Sequence, residues 1–232
     1  MSRVGAVIQA GGAGRRLRAV TGDAPKALAP FLGRTLVEWQ LARVAGVTDR
    51  PVVLAHSGAG AVMDRVGDRA DVRVEAAPLG TAGGLSLLPD GPTAWLVINV
   101  DHASDVDLAA FVRAYEDAGR PACLAALSQV RVPVDEGVVD VVDGRVTRWR
   151  ERPVLRLPIT TGLYLFDAAA LRGALDGGPA DMPGLVEALM PRGVVAWTLP
   201  GWWLDAGTPA RLARAEARIL ADRAGAGADQ PV

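Results

Sequence analysis

Short apolar runs and longer amphipathic stretches alternate along most of this chain. Residues 4–9, 51–55, 72–75, 94–100 and 121–127 are strand-like runs, mostly apolar and of strand length. Apolar residues at consecutive positions, rather than at every second one, suit strands buried on both faces, as in a parallel sheet. Between them, residues 35–45, 59–66, 81–88 and 107–118 carry apolar positions at helical spacing. That alternation predicts βαβ units, and hence an α/β chain with a Rossmann-like three-layer αβα arrangement around a mostly parallel mixed sheet. Residues 130–166 break the rhythm with short β-rich pieces and turn glycines, which predicts a small β-rich lobe over the sheet's edge. Residues 208–223 read as an Ala/Arg-rich terminal helix and 224–232 as a flexible tail. No linker divides residues 1–223, so they are expected to form a single domain.

Composition narrows this picture. A chain of 232 residues that is 50% hydrophobic can bury one sizeable core. With a formal net charge of −1 it has no broad basic field for nucleic acid or an anionic membrane. No apolar run approaches about 18 residues and no signal pattern opens the chain, so a cytoplasmic protein is expected. Cys123, the single cysteine, lies in the apolar run 122–127 and reads as a core thiol, with no disulfide within the chain. Two histidines, His56 and His102, without spaced cysteine partners argue against a zinc site and read as hydrogen-bonded loop residues. Trp202 and Trp203 read as packing against the lobe.

Lys26 is the only lysine among 25 Lys and Arg residues. Arginine serves this chain wherever a generic positive charge suffices, and a compact ammonium acts as a point charge toward phosphate. It follows Gly11-Gly12-Ala13-Gly14-Arg15-Arg16-Leu17, into which the run 4–9 empties. A strand ending in such a loop presents backbone N–H groups able to cradle an anion. The dinucleotide pattern G-x-G-x-x-G fails because Leu17 stands at its last glycine, and the P-loop fails because no lysine follows the last glycine directly.

Gly11, Gly12, Gly14, Arg16, Leu17, Pro25 and Lys26 resemble the signature of the sugar-phosphate nucleotidyltransferases, G-G-x-G-(T/S)-R-L followed by P-K, with Arg15 at the small hydroxyl position. The likeness continues in order. Pro78-Leu79-Gly80-Thr81-Ala82-Gly83 is similar to L-G-T-A-G, and the strand ending Asn99-Val100-Asp101 to one ending in G-D. Glu136-Gly137-Val138-Val139, Asp143-Gly144-Arg145-Val146 and Glu151-Arg152-Pro153 resemble the G-V-V, D-G-x-V and E-K-P segments. Thr160-Thr161-Gly162 resembles N-A-G, and Trp203 to Pro209 resembles W-x-D-x-G-T-P. Together these cover roughly residues 4 to 212.

What the resemblance implies is a compact enzyme that moves a nucleoside monophosphate from an NTP to a hexose- or heptose-type sugar 1-phosphate, releasing pyrophosphate and forming an NDP-sugar. Asp101 and Asp205 would hold Mg²⁺, while Arg16 and Lys26 would carry catalysis by gripping the β- and γ-phosphates. Gln9, Ala10, Gly11, Gly12, Gly14, Arg15, Leu79, Gly80 and Thr81 would bind the nucleotide, with Gly80 letting the base approach the backbone and Thr81 beginning a helix. Gly137, Glu151, Arg152, Thr160 and Thr161 would bind the sugar phosphate, which makes the lobe acceptor-binding. Guanine is the preferred base by likeness to heptose-activating members. Two other readings stay open: a CTP-dependent phosphocholine cytidylyltransferase, which needs an aromatic cage that 5% aromatic content does not favour, and a nucleotide-sugar-binding regulatory subunit without turnover. A homo-oligomer is left open.

Overall fold

The computed structural model describes residues 4–228. In chain order the strands are β1 (Val4–Gln9), β2 (Pro30–Phe31), β3 (Arg34–Thr35), β4 (Val52–Ala55), β5 (Asp71–Val74), β6 (Ala94–Asn99) and β7 (His102–Ser104). They continue with β8 (Cys123–Pro133), β9 (Val138–Val142), β10 (Arg145–Arg150), β11 (Val154–Asp167), β12 (Val194–Thr198) and β13 (Trp203–Asp205). Seven of them form one sheet in the order β12-β8-β11-β6-β1-β4-β5. β11 pairs antiparallel with β6 and β8, and the other four pairings are parallel, so one reversed strand makes the sheet mixed.

Alternate residues of the central strands feed two cores, which is why their sequences read as continuously apolar. Ala6, Ile8, Leu96 and Ile98 point to one face and Val7, Trp95 and Val97 to the other. The first face is covered by α2 (Leu36–Val44), α3 (Ala59–Val66), α4 (Leu108–Asp117) and α7 (Pro209–Ala228), which follow the four-residue α1 (Arg18–Thr21) in this count. α5 (Ala168–Ala174) and α6 (Met182–Leu189) cover the second face. The predicted three layers are therefore present. α2 begins with a reciprocal cap, in which the Thr35 hydroxyl accepts from the Glu38 N–H and the Glu38 carboxylate accepts from the Thr35 N–H. A cap of this kind contributes about 1 kcal/mol.

Three expectations shift. Residues 81–88 form a 3₁₀ turn at Gly83–Leu87 instead of an α-helix, since Gly83 and Gly84 pack where a side chain would collide with Gly178 and Glu75. β8 continues past 127 to Pro133, because its outer half pairs antiparallel with Val154–Thr160 of β11 and carries the hairpin of β9 and β10; this extension is the lobe. α7 runs to Ala228 rather than stopping at 223, as its alanine-rich sequence permits; residues 229–232 lie outside the described residues. Cys123 is buried in the second core, and burial pushes its thiol up to about 12, as suits an unreactive packing residue.

Three features prepare a site at the carboxyl ends of the parallel strands, where open α/β sheets receive ligands. β1 and β6 end side by side, with Gln9 opposite Asn99. β7 and β13 form a separate antiparallel ladder pairing Asp205 with His102, and the Ala206 N–H donates to the Asp101 carbonyl at 2.9 Å. Residues Asp101 and Asp205, far apart in sequence, are thereby fixed as neighbours. The β11 register breaks between Thr160 and Tyr164, beside the end of β6.

Candidate active site

The loop after β1 starts from a backbone anchor, with the buried Ala10 donating its N–H to the Leu54 carbonyl at 2.8 Å. Gly11 and Gly12 then wall a cavity of about 320 Å³ together with Gln9, Gly80, Thr81 and Glu75. Gly14 has φ +60°, and a Cβ there would sit 2.7 Å from the Lys26 Cβ, so the loop can close on Lys26 only with glycine at this position. The far wall is set by residues a hundred positions later. The Ala180 N–H donates to the Leu79 carbonyl at 2.9 Å, the Ala82 N–H donates to the Ala180 carbonyl at 2.9 Å, and Gly80, at φ +80°, would place a Cβ 2.4 Å from that same oxygen. The Thr81 hydroxyl accepts the Met182 N–H at 2.8 Å, so this threonine caps α6 instead of beginning a helix of its own. The Gln9 amide donates to the Thr81 carbonyl at 2.7 Å and ties the two walls together.

On the cavity floor lies Glu75, only 8% exposed. Its Oε2 accepts the Leu79 N–H at 3.1 Å, and its Oε1 faces Gly11 and Gly84, where a Cβ would stand 3.2 and 2.5 Å away. His56 lines the same cavity, with its Nδ1 2.9 Å from the Glu75 carbonyl.

A second cavity of about 310 Å³ is lined by Arg16, Asp101, Asp205, Thr160, Thr161 and Trp203 among others, and it shares Lys26 and Asn99 with the first. The Lys26 ammonium donates to Asp101 Oδ2 at 2.8 Å, with both side chains largely buried. Burial works to raise the Asp101 pKa, and the Lys26 charge and hydrogen bond outweigh it, so the carboxyl stays ionised below its ordinary value. Asp205 Oδ1 accepts the Gly207 N–H at 2.7 Å and Oδ2 accepts from Arg211 at 2.7 Å. A Cβ on Gly207 would lie 2.7 Å from Asp205, 2.9 Å from Asp101 and 3.2 Å from Arg16, which locates the point on which these three side chains converge.

Behind this cavity is a buried polar chain. Arg43 donates to the Ser104 hydroxyl at 2.9 Å, which is 2.9 Å from His102 Nε2, while His102 Nδ1 is 2.9 Å from the Thr161 carbonyl. Burial, and then the charge of Arg43, push the His102 pKa down to about 3, so the ring is neutral and able to donate once to Thr161.

Several residues expected in the site stand apart from both cavities. Gly137, Glu151 and Arg152 belong to the hairpin region of the lobe, where Trp149 packs over Gly137 and donates to Glu151 at 3.1 Å. Arg152 is exposed and holds a left-handed φ of 42°. Arg15 is exposed and lines neither cavity, and Leu79 reaches the site through its main chain, which holds Glu75. The Thr161 hydroxyl donates to the Ala126 carbonyl at 2.9 Å, facing the sheet. Trp202 does not pack on the lobe: its indole donates to Asp222 at 2.6 Å under Arg218, both on α7, and Trp203 walls the second cavity. Glu75, Asn99 and Arg211 are polar residues of the site to which the motifs assign no role, and His56, His102 and Tyr164 line the cavities beside them.

A sequence model of the family described as nucleotidyl transferase matches residues 5–222. Among similar proteins, a low-salt glycan biosynthesis nucleotidyltransferase of Haloferax volcanii is 28% identical over 94% of this chain and 66% of its own length. Mannose-1-phosphate guanyltransferase beta-B of Xenopus laevis is 30% identical over 88% of this chain. The chain thus spans somewhat under two thirds of these relatives, 61% in the second case. Two solved structures share the fold: a Bacillus anthracis protein described as a glucose-1-phosphate thymidylyltransferase, with TM-score 0.74, 24% identity and coverage of 92% of this chain and 94% of its own, and HddC of Yersinia pseudotuberculosis complexed with GMP-PN, with TM-score 0.66, 21% identity and coverage of 94% and 100%. With the glycine loop, the paired aspartates and the sheet order already in place, the match along nearly the whole chain establishes that this protein belongs to the nucleotidyl transferase family.

Proposed function

We propose that this protein transfers a nucleoside monophosphate from an NTP, with guanine as the preferred base, to a sugar 1-phosphate, forming an NDP-sugar and pyrophosphate. The observation that carries this reading is the meeting of two cavities at Lys26 and Asn99, one walled by glycines and the other holding Asp101, Asp205 and Arg16. A base and ribose fit the first, and an acceptor phosphate fits the second. Lys26 at the seam and Arg16 beside it are the cations within reach of the triphosphate and of the departing pyrophosphate. The acceptor phosphate is already ionised at neutral pH, so in-line positioning and charge neutralisation suffice and no strong base is needed. The neutral, buried His102 agrees with that, since it orders the Thr161 backbone rather than exchanging protons.

Two carboxylates converging beside Gly207, with no third His, Cys, Asp or Glu grouped with them among the described residues, fit a hard divalent ion whose remaining ligands are phosphate oxygens and water. Asp101 and Asp205 would hold Mg²⁺, which when bound supplies charge neutralisation at the reacting phosphates. Gly137, Glu151 and Arg152 are then read as outer contacts of the sugar, offered by the lobe. No helix among the described residues is long and apolar enough to cross a membrane. Together with the buried free thiol, that supports a cytoplasmic enzyme.

Glu75 supports guanine. A carboxylate only accepts hydrogen bonds, and guanine alone of the common bases presents two adjacent donors, N1–H and N2–H, on one edge. The direct test is pyrophosphate release with Mg²⁺ across ATP, CTP, GTP, UTP and dTTP, each crossed with hexose and heptose 1-phosphates. Acceptor-dependent release, strongest with GTP, is expected; NTP binding without release from any pair would favour the regulatory reading. In the same assay Glu75→Gln is expected to lower kcat/KM for GTP by about 10- to 100-fold, the scale of one charge-assisted hydrogen bond, and to leave the other bases nearly unchanged. An equal loss with every base would remove Glu75 from base recognition.

A further inference from the structure

Asn99 is out of place by the rules that built its strand. β6 is otherwise Ala-Trp-Leu-Val-Ile, all buried, and its last residue is an amide. Its main chain is fixed from behind, with the buried Gln40 amide donating to the Asn99 carbonyl at 3.1 Å. Its side chain makes no hydrogen bond among the described residues, although it lines both cavities and shares that position only with Lys26. Space for the amide is provided deliberately by Gly162. This glycine lies in the register break of β11 at φ +76°, and a Cβ there would fall 2.3 Å from Asn99 Nδ2. An oriented, unpartnered donor held at the seam of two substrate cavities contradicts the apolar pattern around it, and departures of that kind gather at functional sites.

We propose that Asn99 is a further catalytic residue, whose Nδ2–H donates to a non-bridging oxygen on the α-phosphorus of the NTP as the acceptor attacks. The proposal rests on the transfer reading above. In that step an oxygen of the sugar 1-phosphate forms the new bond to the α-phosphorus, and the bond from the α-phosphorus to the oxygen bridging to the β-phosphorus breaks. The bonding pair leaves with pyrophosphate, and no proton moves. Lys26 is engaged by Asp101 at 2.8 Å, so a cation is already present at the seam. A neutral donor adds something different: it meets the charge that builds on the equatorial oxygens without binding the ground-state phosphates as an ion pair would. Its effect therefore belongs to turnover rather than to substrate affinity.

The test is steady-state kinetics of Asn99→Ala and Asn99→Ser at saturating Mg²⁺, with thermal unfolding of each variant as a control. Asn99→Ala is expected to lose about 10²-fold in kcat, the scale of one donor to a developing oxyanion, with both KM values within about threefold of wild type. Asn99→Ser, which keeps a short donor, recovers part of that loss. With the separated Sp and Rp diastereomers of the α-thio NTP, the gap between wild type and Asn99→Ala is expected to shrink for one diastereomer only, the one carrying sulfur where the amide donates. Unchanged kcat in an active background overturns the proposal, as does a loss confined to one substrate's KM, which would place the amide in a single subsite. Equal losses in both variants with a lowered unfolding midpoint would make Asn99 structural. A wild-type protein that releases no pyrophosphate with any pair while folded refutes the transfer reading itself, a different result from a wild type that works and a variant that works equally well.

Discussion

Asp101→Asn is expected to lower turnover by about 10³-fold or more while leaving the fold intact. Two losses combine in that change. The hard oxygen ligand proposed for the divalent ion disappears, and the ammonium of Lys26 loses the partner that holds it at the seam. The ion pair also has a signature that needs no substrate. The Asp101 pKa is lower in the folded chain than in the unfolded one, so ionised Asp101 stabilises the fold above the ordinary aspartate pKa, and that contribution fades as pH falls through the folded value. Unfolding midpoints measured in EDTA from neutral pH downward should therefore drop further in the wild type than in Asp101→Asn, with the two converging in acid. Retained turnover in the variant would remove Asp101 from the metal-binding pair.

Gly207→Ala is the second change with a large expected effect, and it alters no charge. The added methyl would lie 2.7 Å from Asp205 Oδ1 and 2.9 Å from Asp101 Oδ2, closer than carbon and oxygen pack, so one carboxylate must move. Because Gly207 is not among the glycines with positive φ, the backbone itself accepts alanine. Displacement of a positioned group by about 1 Å can cost 10²-fold in rate, and a loss of that order is expected here, with Mn²⁺ affinity, read by electron paramagnetic resonance, down about tenfold. Unchanged Mn²⁺ binding would show that the two carboxylates do not act as one site.

How far the site could be read in advance depended on whether a residue's task is local. The strand before the loop, Gly14, the strand end at Asp101 and the turn at Asp205 to Pro209 announce themselves through spacing, since each is set by its own few neighbours. Glu75 does not: a glutamate shortly before a proline turn reads as solvated, and it is buried because Gly11 and Gly84, from two other segments, leave room for it. Asn99 was hidden inside an apolar run, and its exposure to both cavities depends on a register break in a strand sixty residues later. Arg211 was one arginine among several on an Ala/Arg-rich helix, distinguished only by the 2.7 Å contact with Asp205. Glu151 and Arg152 fail in the opposite direction, because the motif is plain but the hairpin carries it away from the cavities. Thr81 carries a helix cap as the sequence suggests, but for a helix that begins at Met182.

That last contact bears on how the protein comes to be made. The Leu79–Gly83 wall is pinned by main-chain bonds to Ala180 and by the Thr81 cap on α6, so it has no means of closing by itself. A ribosome-bound chain that has emerged only through β6 already possesses the glycine loop, Lys26 and Glu75, yet lacks half the enclosure around the cavity proposed for the nucleobase. Affinity for nucleotide should thus arise late in synthesis, once the segment around 180 has emerged and docked. Bound nucleotide should then raise the free energy of global opening rather than protect one loop, a difference that amide hydrogen exchange across residues 79–83 resolves.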